Sequence, residues 1–121
     1  MQQEITKVAV DAMGGDNAPA ELVKGAVDAV NGRSDIKVLL VGQQDVVNKE
    51  LEKYTYPKEQ IEVVHAEEVI ETAEPPVNAI RRKKQSSIVV GMNMVKQKEA
   101  DAFVSAGSSG AILVGGQVIV G

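Results

Sequence analysis

The sequence predicts an α/β fold: a parallel sheet of about four strands with flanking helices, in a Rossmann-like three-layer arrangement. Short segments rich in β-branched residues alternate along the chain with segments in which apolar residues recur at helical spacing. One short segment, Ile36–Gly42, is apolar enough to be buried on both faces of a sheet. Aromatic residues make up only 2% of the 121 residues, so the core is expected to consist of aliphatic side chains and methionine.

Four segments are predicted to be strands, because each is short, rich in β-branched residues and bounded by residues typical of loops. Helical segments separate them, which is the order typical of a parallel sheet. The longest predicted loop is Glu67–Pro76, which is acidic and ends in two prolines. The predicted strands are Lys7–Val10, Ile36–Gly42, Ile61–Ala66 and Asp101–Gly107.

The helices have recognisable starting signals. The first is expected to begin at Pro19, with Glu21 in its first turn, because proline disfavours a helical residue before it. A later helix takes one of the serines at 86–87 as its N-cap, and the last takes one of those at 108–109 and runs from about Gly110. The predicted inner faces are Leu22, Val23, Ala26, Val27 and Val30; Val47, Leu51 and Tyr54; and Ile88, Met92 and Val95, with Met94 at the periphery.

Residues 111–120 are apolar nearly all round a helix, and such a helix needs cover on several sides. A sheet of about four strands does not supply that cover. We therefore expect residues 1–121 to be the N-terminal part of a single α/β domain that is truncated at its C-terminus.

Composition excludes several classes of function. The formal net charge of −4 and the pI of about 5.0 argue against nucleic acid as a partner. With no cysteine and one histidine, the chain has no thiolate nucleophile, disulfide framework or cysteine- or histidine-rich metal site, so no metal and no cofactor are expected. A cytoplasmic protein is predicted, because the N-terminus does not resemble a signal peptide and the apolar stretch 110–121 is too short to span a bilayer.

Two loops, 11–19 and 105–111, follow predicted strands and precede predicted helices, and both combine glycine with small polar residues. In a parallel sheet such loops meet at one edge, where free N–H groups and helix N-termini bind anions. Neither loop matches a nucleotide-binding signature, and each alone is equally well explained as a simple turn. Asp11 and Asp16 would repel phosphate, so they are expected to orient loop amides or to bind a group that carries a proton. The candidate anion-binding residues are Gly14, Gly15, Gly107, Ser108, Ser109 and Gly110.

The only basic cluster in this acidic chain is Arg81, Arg82, Lys83 and Lys84. One interpretation is a solvated helix end, where cations interact favourably with the C-terminal dipole. The other is a contact for a phosphate group or for an acidic carrier protein.

Three motifs together resemble the phosphate acyltransferase family, the acyl-carrier-protein:phosphate transacylases of bacterial phospholipid synthesis. They are VDAMGGDNAP from Val10, RRKKQSSIVVGMNMVK from Arg81, and ADAFVSAGSSGA from Ala100, in the same order as in the family. Asn17 stands where the family usually has histidine, and Ser108–Ser109 where it usually has Asn-Thr. Family members are also more than twice this length, so the resemblance implies that the rest of the sheet, a homodimer interface and an element for peripheral membrane contact lie in a missing part.

The resemblance implies transfer of a long-chain acyl group from acyl carrier protein to inorganic phosphate, without a cofactor. The candidate anion-binding residues would then hold phosphate and the developing oxyanion, Asp11 or Asp16 would orient the remaining proton of phosphate, and the basic cluster would contact phosphate or the carrier. The sequence identifies no catalytic base. Two alternatives stay open: a phosphotransacylase that uses acyl coenzyme A, and a non-catalytic module that binds an anion.

Overall fold

The computed structural model describes residues 4–70 and 75–106, and within them the predicted α/β class is confirmed. The sheet has four parallel strands in the order β3-β2-β1-β4. The elements are β1 (Thr6–Asp11), α1 (Ala20–Gly32), β2 (Ile36–Gly42), α2 (Gln44–Leu51), β3 (Ile61–His65), α3 (Pro76–Arg82), α4 (Ser87–Lys96) and β4 (Ala102–Val104), with a 3-10 turn at Lys58–Gln60 before β3.

The strand order places the first and last described strands side by side. Val10 of β1 is in register with Val104 of β4 on one side and with Leu40 of β2 on the other. All carboxyl ends therefore lie at the same edge of the sheet, and the loops after β1 and β4 leave it next to each other.

Helices cover both faces of the sheet, as the three-layer prediction requires. On one face, Val23 of α1 and Val47 of α2 pack with Leu40, and all three are fully buried. On the other, Met94 of α4 packs with Leu39, which points the opposite way because side chains alternate along a strand. Strand β2 is thus buried on both faces, as predicted.

Some predicted details were wrong. Helix α1 begins at Ala20, one residue later than expected, with Pro19 as its N-cap. Helix α2 ends at Leu51, and Tyr54 reaches the same cluster from the turn that follows. Met94 is buried, at 7% exposure, rather than peripheral, because it packs against Leu39 and Val41 of the sheet.

The segment between β3 and α4 contains a short helix. The predicted loop 67–76 forms a bridge from Glu68 to Ser86 and buries Ile70 before α3 begins at Pro76. Ser86 is the N-cap of α4 as predicted, and its Oγ accepts a hydrogen bond from the N–H of Val89 at 3.2 Å. The predicted last helix lies outside the described residues. Along 4–70 and 75–106, no helix combines the length and the apolar character needed to cross a membrane.

Candidate functional site

A cleft of about 400 Å³ lies at the carboxyl edge of the sheet, where the sequence predicted a ligand site. The loop after β1 forms its floor, the first turn of α1 forms one side, and the segment after β3 and the start of α4 form the other. The described lining residues are Asp11, Met13, Gly14, Gly15, Asp16, Asn17, Glu21, Leu22, Val69, Ile70, Ser87 and Ala106.

Asp11, at the end of β1, ties the two loops together. Its side chain is almost completely buried, at 1% exposure. One carboxylate oxygen accepts a hydrogen bond from the N–H of Met13 at 3.0 Å, and the other accepts one from the Oγ of Ser105 at 2.7 Å. Both oxygens therefore hold the loops in place, as a buried carboxylate requires.

Gly15 brings the first loop against the second. Its φ of +94° is in the region that favours glycine, and a Cβ built on it would lie 3.4 Å from the Cβ of Ala106. The backbone conformation is therefore a sufficient reason for glycine at this position, whether or not a ligand also approaches it.

Three consecutive residues that line the cleft have backbone N–H groups without a described acceptor. Those of Gly15, Asp16 and Asn17 donate to no acceptor among the described residues, and all three residues line the cleft. The N–H of Gly14 makes only a long bond of 3.5 Å to the carbonyl of Asp11. A run of free amides in a glycine-containing turn is the arrangement that binds an anion.

The charged side chains of the cleft disfavour an anion. Asp11, Asp16 and Glu21 line the cleft, and no cationic side chain is among its described lining residues. The charge of Asp11 is directed into its two hydrogen bonds, whereas Asp16 and Glu21 are exposed and screened by water. A phosphate bound here therefore needs positive charge from outside the described lining.

The chain matches, over residues 6–121, a family model described as "Fatty acid synthesis protein". The chain belongs to this family. It is also similar to proteins named phosphate acyltransferase, from Alkaliphilus oremlandii (54% identical), Clostridium botulinum (50%) and Halothermothrix orenii (44%), each over 115 residues. The resemblance found in the motifs is thereby confirmed. Each alignment covers 95% of this chain and 34% of the relative, so the chain spans about a third of the length of the curated relatives it matches.

The basic cluster divides into two parts. The ammonium of Lys83 donates to the carbonyl of Val69 at 2.8 Å and so fixes a residue that lines the cleft. Arg81 and Arg82 occupy the last turn of α3, as the helix-end interpretation expects, and with Lys84 they are exposed. Within the described parts of the chain these three make no ion pair.

Sequence reasoning missed two parts of the site. Ser87 was considered only as a helix cap, but it lines the cleft and is 1% exposed, while Ser86 does the capping. The wall formed by Val69 and Ile70 was assigned to a loop. A serine pair before an apolar helix was the only signal for Ser87, and no local pattern marked the wall.

The remaining candidates, Gly107, Ser108, Ser109 and Gly110, lie outside the described residues, although Ala106 carries the chain to the cleft. In the described ranges no group of three or more histidine, aspartate or glutamate side chains is arranged to hold a metal ion.

Proposed function

We propose that the protein transfers a long-chain acyl group from the thioester of acyl carrier protein to inorganic phosphate, and that the cleft is where phosphate binds. The observation that carries the proposal is the row of three free N–H groups, from Gly15 to Asn17, in a loop clamped by Asp11. Family membership and the names of the relatives support the reaction class.

The reaction needs no protein nucleophile. An oxygen of hydrogen phosphate attacks the carbonyl carbon of the thioester, a C–O bond forms, and the C–S bond breaks. The carrier leaves as a thiolate, which then takes up a proton, and the product is an acyl phosphate. Because a thiol has a pKa of about 8.5, the thiolate is a competent leaving group near neutral pH. The protein's task is to align the two substrates and to stabilise the oxyanion that develops on the carbonyl.

The loops are assigned to that task. In the proposal, the free amides of Gly15, Asp16 and Asn17 bind phosphate together with the weakly bonded amide of Gly14, and Gly107, Ser108, Ser109 and Gly110 supply further donors from the second loop. Asp11 acts as a positioning residue, because both of its oxygens already accept hydrogen bonds within the loops. Asp16, which is exposed in the cleft, is the remaining candidate to orient the proton of hydrogen phosphate.

Arg81, Arg82 and Lys84 are proposed to contact the acidic carrier protein. They are exposed and cationic, and they flank in sequence Lys83, which bonds to Val69 in the cleft wall. An exposed cluster of this kind raises the rate of encounter with an acidic partner. A homodimer and peripheral association with a membrane belong to the same proposal, on the family resemblance alone.

Formation of acyl phosphate, trapped as the hydroxamate, tests the reaction. The full-length protein is incubated with palmitoyl carrier protein, with and without phosphate, and product is expected only with phosphate. Gly14→Val should abolish it, because Gly14 is buried under the cleft, whereas Gly32→Val at the exposed end of α1 should not. Absence of product from the folded full-length protein would refute the proposal.

The carrier contact has its own test. Reversing the charge of Arg81, Arg82 and Lys84 to glutamate should raise the KM for the carrier thioester about tenfold in low salt and leave the KM for a coenzyme A thioester unchanged. The control is Lys96→Glu with Lys98→Glu, two exposed lysines at the C-terminal end of α4 and in the turn that follows it. An equal rise for both thioesters would contradict a carrier contact.

A further inference from the structure

A second cavity, distinct from the cleft, runs under α1. We call it the α1 groove; its volume is about 310 Å³, and it lies between α1 and the strands β1 and β2. Apart from Glu21, every lining residue is apolar or glycine. The lining residues are Val8, Val10, Glu21, Leu22, Gly25, Ala26, Ala29, Ile36 and Val38.

The α1 groove adjoins the cleft. Glu21 and Leu22, in the first turn of α1, line both cavities. From Leu22 to Ala29 the groove follows two turns of helix, which at a rise of 1.5 Å per residue is a length of about 10 Å. A molecule whose polar end lay in the cleft would therefore find apolar surface beside it, along one edge of α1.

Gly25 leaves the groove open in its middle. It lies in the interior of α1, where glycine is an unfavourable residue. Its φ is not in the region reserved for glycine, and a Cβ built on it would have no described atom within 4 Å. Neither backbone conformation nor packing against described residues requires glycine here, and Gly25 is exposed where it lines the groove.

The apolar surface continues beyond the groove. Val8 and Val10 are in register with Ala102 and Val104 of β4, so all four point to the face that α1 covers. Val104 is 53% exposed, and Ala102 is also exposed. Exposed apolar surface of this kind is covered in a complete protein either by a ligand or by further polypeptide.

We infer that the α1 groove holds the acyl chain of the thioester while its carbonyl lies in the cleft. The inference rests on the proposed function, which supplies a substrate with one polar reacting end and a long hydrocarbon tail. The shared lining at Glu21 and Leu22 favours this occupant, because it places the apolar groove beside the loop whose N–H groups have no described acceptor. The groove then sets which chain lengths react well.

Filling the groove from Gly25 tests the inference. In Gly25→Leu the new side chain enters the groove and displaces about two methylenes of a long chain, which lowers its binding about tenfold. The expected result, in the full-length protein, is a tenfold fall in the ratio of kcat/KM for palmitoyl carrier protein to that for butyryl carrier protein. Gly32→Leu, at the end of α1 and outside the groove, is the matched control and should leave the ratio unchanged.

An unchanged ratio in Gly25→Leu would overturn the inference. If the variant also melted at a lower temperature or changed its oligomeric state, the groove would instead be covered by polypeptide. Leucine favours helix more than glycine does, so the substitution itself supports folding of α1. If the wild-type protein made no acyl phosphate from either thioester, the proposed function would fail rather than the groove.

A second measurement requires no variant. Palmitoyl carrier protein with a photoreactive diazirine at the end of the chain should label peptides from α1 or β1 of the wild-type protein, and excess palmitoyl carrier protein should suppress the label. Labelling confined to other peptides would overturn the inference even if catalysis were normal.

Discussion

Removing the Ser105 hydroxyl tests whether Asp11 joins the two loops. The 2.7 Å bond from Ser105 Oγ to Asp11 is a hydrogen bond to a charged group, which contributes about 1.5–3 kcal/mol to stability. Ser105 is only partly buried, so the lower part of that range applies, and Ser105→Ala should lower the free energy of unfolding by about 1.5 kcal/mol. Asp11→Ala also leaves the N–H of Met13 without its acceptor and should cost about 3 kcal/mol.

A double-mutant cycle isolates the bond itself. Urea unfolding of the full-length protein, followed by circular dichroism, is measured for both single variants and for the double variant. We expect a coupling energy of about 1.5 kcal/mol between Asp11 and Ser105. Ser105→Thr retains the hydroxyl and should restore most of the stability lost in Ser105→Ala.

The same variants have a functional readout. If the loops separate, the amides in the cleft lose their alignment, and the KM for phosphate should rise about tenfold in Ser105→Ala with a smaller change in the KM for the thioester. A coupling energy near zero, or a phosphate KM equal to that of the wild type, would refute the assignment of Asp11 as the residue that holds the loops together.

Three further predictions concern single positions. Gly15→Ala should lower the free energy of unfolding by about 1 kcal/mol because of its φ of +94°, and Gly15→Asn, which tolerates this region better, by less; equal thermal melts would contradict this. Gly91→Ala should lower the free energy of unfolding by about 1 kcal/mol, because a Cβ there would overlap the Phe103 ring and the overpacking exceeds the gain in helix propensity. Unchanged unfolding in urea would contradict the overlap. The hydrogen bond from Arg33 lowers the pKa of Asp35. This pair therefore stabilises the fold above the unfolded-state pKa of about 3.9, and its contribution is lost as the pH falls through the folded-state pKa. Carbon NMR titration should show a higher Asp35 pKa in Arg33→Gln, and an unchanged pKa would exclude the pair as the cause.

The sheet could be predicted from sequence because its signals are local. Ile36–Gly42 is apolar on both faces, and the structure buries it on both faces. Periodicity does not fix where an element stops, however. Tyr54 continues the apolar spacing of α2 but contacts the core from a turn, since the N–H of Tyr54 already bonds to the carbonyl of Leu51 in that turn. Met94 was misplaced because one helical face does not reveal that α4 is buried on two sides.

The candidate site was predictable only in part, for a similar reason. Parallel strands end at the same edge, so the approach of the two glycine loops follows from the order of the strands. The wall of the cleft depends instead on contacts between segments that are distant in sequence. Glu68 forms a β-bridge with Ser86, and Lys83 donates a hydrogen bond to Val69. These contacts bring Val69 and Ile70 to the cleft, although no local sequence pattern marks either residue.

The position of β4 beside β1 also has a consequence for biosynthesis. Asp11 and Ser105 are 94 residues apart in the chain, and the ribosome completes β1, β2 and β3 long before β4 emerges. Until then, β1 is one of the two outer strands of a three-stranded unit, with unpaired backbone groups along one side and Asp11 without one of its donors. Pairings between such distant segments close slowly because of the entropy of the intervening loop. The cleft is therefore among the last parts of this sheet to assemble, and β1 is an edge strand that the nascent chain must keep from pairing with another molecule until β4 covers it.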